Sequence, residues 1–116
     1  MSKLSDVIFN FKKNINNKNT REINEDKIKK AIEEHKQNRK VILLDVRNEK
    51  EYNEGHLPGA ILIPEYEIQQ EALNKLKDKN QKIYVYCRSG SRAKKAINKL
   101  KKLGYTNLHY LGGIIE

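Results

Sequence analysis

The chain has 116 residues, 37% of them hydrophobic and 34% charged, which suits one domain with one modest core. Its single cysteine excludes an intrachain disulfide and a thiolate cage for a metal. The formal net charge of +9 is spread along the chain, no apolar run reaches transmembrane length and no signal peptide is visible, so a cytoplasmic protein is expected.

Leu4, Val7, Ile8 and Phe11 stand at the spacing of a short amphipathic helix, and the polar stretch "KKNINNKNT" after it reads as a linker. Residues 1–20 are therefore expected to form an amphipathic segment with its linker, and residues 21–116 the domain. Such a helix can lie on a membrane or bind a partner, but packing on its own domain is the expectation. Ile23 closes a short first strand, and Asn24 caps a helix whose first turn carries Glu25 and Asp26, acids that the helix dipole favours there. Ile28, Ala31, Ile32 and His35 share one face of that helix.

"VILLD", Val41 to Asp45, is a continuous apolar run of the kind found in strands buried on both faces. Asn48 followed by Glu51 forms a capping box for a short helix that Gly55 ends. "GHLPGA" is a turn-rich connection to a second buried strand, Ala60 to Ile63. Ile68, Ala72, Leu73 and Leu76 mark a further helix face. Lys82 to Tyr86 alternates polar and apolar residues as a strand does. Ala93, Ala96, Ile97, Leu100 and Leu103 give a clear helix face, Gly104 ends it, and Leu108 to Leu111 reads as the last strand. Strands that alternate with helices predict an α/β fold, a central parallel sheet of about five strands with helices on both faces. Ligands of such sheets bind beyond the carboxyl ends of the strands, and Cys87 sits at one of these ends.

"CRSGSR", Cys87 to Arg92, carries the chemistry. The N–H groups of Arg88 to Arg92 are the unpaired donors of a loop and a helix N-terminus, a nest for an anion. Gly90 lets the loop curl inward, and Arg88 and Arg92 add positive charge. These effects favour thiolate over thiol and mark Cys87 as a reactive nucleophile. A buried structural cysteine is the plain alternative, which polar and basic neighbours fit poorly. Asp45, His56 and Cys87 also invite a Cys-His-Asp hydrolase, but His56 lies in a glycine-proline turn, and turn structure is the better account of it. His35, His56 and His109 lack metal-ligand spacing, so no metal is assigned. The stretch from Arg92 to Lys102 holds Arg92, Lys94, Lys95, Lys99, Lys101 and Lys102 and no acid. It serves solubility, or draws small anions toward the thiol. Without tryptophan or a recognised binding motif, a nucleic-acid partner is disfavoured.

Taken together, "LLDVRNEKEYNEGHLPGAILIP", "IYVYCRSGSR" and "LGG" resemble a single-domain rhodanese, a sulfurtransferase, over roughly Arg21 to Glu116. The resemblance implies that the Cys87 thiolate attacks the outer sulfur of thiosulfate or a persulfide, carries it as a persulfide, and yields it to cyanide or a thiol. It implies that Arg88, Ser89, Gly90, Ser91 and Arg92 form the sulfur-binding loop and that Asp45 and Arg47 support the architecture. No metal or organic cofactor is required. The implied partners are a small anionic sulfur donor and possible protein donors or acceptors, with no membrane. Related phosphatases resemble C-x5-R; the C-x4-R spacing here favours sulfur over phosphate. A persulfide carrier or regulatory module acting on a protein partner is the alternative. The family's tryptophan-containing terminal helix is expected to be very short or absent after "LGGIIE", with Leu4 to Phe11 covering the surface it leaves.

Overall fold

Side chains alternate across a strand, so a strand between two helical layers feeds two cores at once. A computed structural model describes residues 25–114. Within them α1 (Glu25–Gln37), β1 (Ile42–Asp45), α2 (Glu49–Glu54), β2 (Ile61–Leu62), a 3₁₀ turn (Glu65–Glu67), α3 (Ile68–Lys75), β3 (Ile83–Cys87), α4 (Ser91–Lys102) and β4 (Leu108–Gly113) follow in order. The strands pair in parallel in the order β2-β1-β3-β4. This is the expected α/β architecture, with four strands among the described residues where about five were predicted. The strand ending at Ile23, the Asn24 cap and the segment from Leu4 to Phe11 lie outside the described residues.

On one face, Ile28, Ala31 and Ile32 of α1 pack with Leu43, Tyr84, Tyr86, Leu57 and Ile114. On the other, Ala72 of α3 and Ala93, Ala96 and Leu100 of α4 pack with Leu44, Ile83, Val85 and Cys87. The expected alternation of polar and apolar residues in β3 is therefore corrected: all five of its residues are buried. β3 lies between β1 and β4, so its two faces meet two cores rather than core and solvent. The side chains of Tyr84 and Tyr86 go to the α1 face, and those of Ile83, Val85 and Cys87 to the α3–α4 face. Leu73 departs from its predicted helix face and is 52% exposed, whereas Ile68, Ala72 and Leu76 are buried as expected.

Local signals fix the ends of the elements. Asn48 Oδ1 accepts from Glu51 N at 2.8 Å and Glu51 Oε1 accepts from Asn48 N at 3.1 Å, the predicted capping box. α4 ends in a Schellman motif, with Gly104 N donating to Lys101 O and Tyr105 N to Leu100 O, and Gly104 at φ +99. α1 is tied to the sheet by the Lys82–Glu34 ion pair at 2.8 Å and by the Tyr84 hydroxyl on the same carboxylate. Those two bonds hold the Glu34 carboxyl below its ordinary range. No helix among the described residues is long and apolar enough to cross a membrane.

Candidate active site

β3 runs out at Cys87, and the chain turns through three residues before α4 begins to cover the same face. That turn needs a left-handed residue at the helix N-cap, and Gly90 supplies it with φ +105. Its backbone is also approached so closely that a Cβ there would collide with the Tyr110 hydroxyl. The result aims amides at the sulfur: Cys87 Sγ accepts from Gly90 N at 2.9 Å and from Ala93 N at 3.3 Å. Ala93 lies one residue beyond the predicted run of donors, Arg88 to Arg92, because the first turn of α4 rather than the loop alone completes the nest. Cys87 itself is 0% exposed. The thiol is the floor of the loop, and Arg88, Ser89 and Ser91 form its exposed rim.

The wall behind the loop comes from β4. Residue pairing between β3 and β4 shifts after Val85, so Tyr86 stands opposite Gly112 and Cys87 opposite Gly113, and Leu111 is skipped. A bulge of this kind re-aims a strand end. Here it brings Gly113 against the loop: a Cβ on Gly113 would stand 2.6 Å from Arg88 O and 2.8 Å from Ser89 Cα. Ile114 N then donates to Cys87 O at 3.1 Å. The second glycine of "LGG" is thus a steric requirement of the loop.

The predicted arginines have different fates. Arg88 is exposed and makes no ion pair among the described residues. Arg92 turns back to α2, where Nη1 and Nη2 meet Glu51 Oε1 and Oε2 at 2.7 and 3.0 Å. This is a two-bond, fork-to-fork pair. The Arg92 hydrogen bonds hold the Glu51 carboxyl down at about 2, and the reciprocal bond raises Arg92, which also feels the charge of Cys87. Sequence reasoning placed Glu51 only in the capping box. It performs both tasks, since Oε1 also accepts from Asn48 N.

Asp45 and Arg47 stand at the same edge of the sheet but on its other face. Asp45 pairs in register with Tyr86, whose side chain points away from the Cys87 side. The Asp45 carboxylate accepts from Arg47 N at 2.9 Å, from Arg47 Nε at 3.0 and 3.1 Å, from Arg47 Nη2 at 2.7 Å and from the Tyr86 hydroxyl at 2.9 Å. Arg47 Nη2 also donates to Gly55 O at 2.6 Å, and the Tyr86 hydroxyl accepts from Leu57 N at 3.1 Å. Burial by itself would lower the Arg47 pKa; the bonds and charge of Asp45 outweigh it and raise it. Burial and the Asp45 charge push the Tyr86 phenol well above its ordinary value. These groups clamp the 55–60 turn to the sheet and do not touch the sulfur. His56 belongs to that turn: Nδ1 is 2.8 Å from Tyr52 O and its ring stacks on Tyr52 at 3.7 Å. Neither Asp45 nor Cys87 is among its hydrogen-bond partners, so the side chains of a Cys-His-Asp triad are not assembled.

The thiosulfate sulfurtransferase PspE of Escherichia coli is 35% identical over 71 residues, which cover 61% of this chain and 68% of that protein. The putative sulfur carrier protein YrkF of Bacillus subtilis is 41% identical over 54% of this chain, which spans only 33% of YrkF. A solved structure described as a rhodanese with anions from E. coli superposes with a TM-score of 0.60 at 34% identity, covering 63% of this chain and 86% of that one. A family model, the rhodanese-like domain, matches residues 12–116, a span that contains the whole of the sheet and the Cys87 loop. With that match, and with a relative of similar length at one residue in three, the chain belongs to the rhodanese-like sulfurtransferase family.

Proposed function

We propose that the protein moves sulfane sulfur from thiosulfate or a persulfide to a thiophilic acceptor, with Cys87 as the carrier. The observation that carries this reading is the pair of amide bonds from Gly90 and Ala93 to Cys87 Sγ. Preformed donors at a sulfur stabilise negative charge without reorganising when the charge develops. In the first half-reaction the thiolate forms a bond to the outer sulfur of the donor, and sulfite or a thiolate leaves with the electron pair of the broken S–S bond. The persulfide that remains is anionic, and the same amides stabilise it. In the second half-reaction cyanide or a thiol attacks the terminal sulfur, and the Cys87 thiolate departs. Arg88 on the rim is the group that meets an incoming anion; Ser89, Gly90 and Ser91 shape the loop. Asp45 and Arg47 support it from the opposite face. Residues 1–20 are proposed as a segment separate from the domain of residues 21–116.

The test is direct. Incubation with thiosulfate and cyanide, or with a small hydropersulfide and cyanide, is expected to give thiocyanate, and mass spectrometry is expected to show one sulfur atom added at Cys87. Cys87→Ser, which keeps the shape and the acceptor, is expected to abolish both while leaving the unfolding midpoint nearly unmoved. Absence of turnover with both donors in the wild-type protein would sink the proposal.

A second reading has its own support. Arg88, Lys94 and Lys95 are exposed beside the loop, and the relative YrkF is named a putative sulfur carrier. A carrier that delivers its persulfide to an acidic protein partner shows slow cyanide turnover and fast protein-to-protein transfer. Charge reversal at Lys94 and Lys95 separates the two readings: it slows the transfer to a partner and spares the cyanide reaction.

A further inference from the structure

Of the charged side chains near the carboxyl ends of β1 and β3, four are closed into two pairs. Asp45–Arg47 lies on the far face. Glu51–Arg92 lies at the start of α4, the helix whose Ala93 amide bonds the sulfur. Among the loop's two arginines, one is thereby neutralised. The side chains of Arg92 and Glu51 are 33% and 16% exposed, so the pair is only partly screened by water. Glu51 is also fixed from behind, because its Oε1 is bound by the Asn48 amide of the α2 cap.

We propose that Glu51 is a positioning residue that sets the donor preference of Cys87, making the site favour organic hydropersulfides over dianionic thiosulfate by keeping Arg92 in a closed ion pair. The inference rests on the sulfur-transfer reading above. Its physical basis is the charge that each donor brings. Attack on thiosulfate joins a thiolate to a dianion: the Cys87–sulfur bond forms, the S–S bond of thiosulfate breaks, and sulfite leaves with two negative charges. A hydropersulfide with an uncharged tail carries at most one negative charge, and attack on its protonated form R–S–SH joins the thiolate to a neutral molecule. The Cys87–sulfur bond forms, the R–S to sulfur bond breaks, and the departing thiolate takes the proton, giving R–SH and the Cys87 persulfide anion. The first reaction needs every cation near the loop; the second needs little beyond the amides. With Arg92 bound to Glu51, only Arg88 on the rim presents an uncompensated guanidinium from the loop.

Glu51→Gln tests this, because glutamine keeps the capping-box acceptor and removes only the charge. Sulfur transfer to cyanide is measured in the full chain at low ionic strength with thiosulfate and with an alkyl hydropersulfide bearing an uncharged tail. The expected result is a thiosulfate KM lowered about fivefold, the worth of one partly exposed ion pair, with the ratio of thiosulfate KM to hydropersulfide KM falling with it. That gain shrinks as salt is added. Arg92→Gln is expected to move the thiosulfate KM the opposite way, because it leaves Glu51 as an uncompensated anion near the loop. A pair that merely braces the loop predicts that both substitutions impair both donors by similar factors, and that outcome overturns the proposal. So does a wild-type protein with a higher kcat/KM for thiosulfate than for the hydropersulfide, a measurement that needs no variant to fold. Mass spectrometry of Cys87 after exposure to each donor keeps the two levels apart. Sulfur taken from both with no shift in Glu51→Gln refutes the donor preference alone, and sulfur taken from neither refutes the transfer reading and the preference with it.

Discussion

Two arginine–carboxylate pairs flank the same sheet edge, and they do different work. Asp45 and Arg47 are 0% and 4% exposed, bonded to each other through three side-chain contacts and to Tyr86 and Gly55 as well. Glu51 and Arg92 form two bonds at a partly exposed position, at the start of the helix above the thiol. The chemistry of the pairs is alike. What separates them is burial and the face of the sheet. A pair shut away from water cannot lose a partner without leaving a buried charge, so its role is to hold structure. A pair open to solvent exchanges partners at low cost, so it can bias which anion approaches. The comparison assigns the α1 face to stability and the α3–α4 face to chemistry.

The strongest way to break that assignment is to remove one half of the buried pair. Asp45→Asn strands the Arg47 guanidinium in the core and is expected to cost about 3–5 kcal/mol in urea unfolding. The molecules that remain folded are expected to keep forming the Cys87 persulfide. Persulfide formation lost in proportion beyond the unfolded fraction would show that the two faces are not separable.

Next in size is the steric wall. Gly113→Ala puts a methyl group against Arg88 O and Ser89 Cα and is expected to cost about 1–3 kcal/mol. Since the clash is with the loop and not with the core, the rate of persulfide formation is expected to fall further than the stability does. Thermal unfolding and single-turnover sulfur transfer, measured on the same variant, check this.

Arg88→Ala examines the exposed side directly. On the proposed reading Arg88 meets an anionic donor already in the ground state, so the thiosulfate KM is expected to rise about tenfold at low salt, with a smaller change in kcat. An unchanged KM would mean that the loop amides alone hold the donor.

The smallest expected effect is a pH dependence. The Glu51 carboxyl is lowered in the folded chain from an ordinary 4.5 to about 2, so it contributes stability above the higher value. That contribution is lost as the pH falls from about 4.5 to about 2, when the folded protein must also take up the proton. The stability difference between wild type and Glu51→Gln is therefore expected to be constant near neutral pH and to vanish toward pH 2. Acid titration of both proteins by circular dichroism reads the difference.

Features set by neighbours in the chain were legible in the sequence. The Asn48–Glu51 box, the stop at Gly104 and the α1 face depend on spacings of a few residues and stand as predicted, and the strand leading to Cys87 is there too, as Ile83–Cys87 for the predicted Lys82–Tyr86 and without its alternation. Features set by strand parity were not. Whether Asp45 and Cys87 share a face depends on the register of β1 against β3, and Asp45 opposite Tyr86 puts Cys87 on the other side. The Arg92–Glu51 pair joins residues 41 positions apart, which only the sheet order brings together. Leu73 matched a helical spacing, yet α3 is short and turns that residue to solvent. Gly113 carried a signal in "LGG", but its meaning as a wall for the loop needed the bulge in β4.

That bulge has a consequence for the order in which the protein comes into being. Cys87, its loop and the helix whose amide hydrogen-bonds the sulfur are complete by Lys102, but the surface that shapes the loop arrives with Gly113, and the bond to Cys87 O with Ile114. During synthesis, which proceeds from the N-terminus, the thiol is therefore made about two dozen residues before the glycine that walls its loop. The docking of β4 turns a cysteine at the end of β3 into the floor of a walled loop, which couples the shape of the proposed sulfur site to the pairing of β3 with β4.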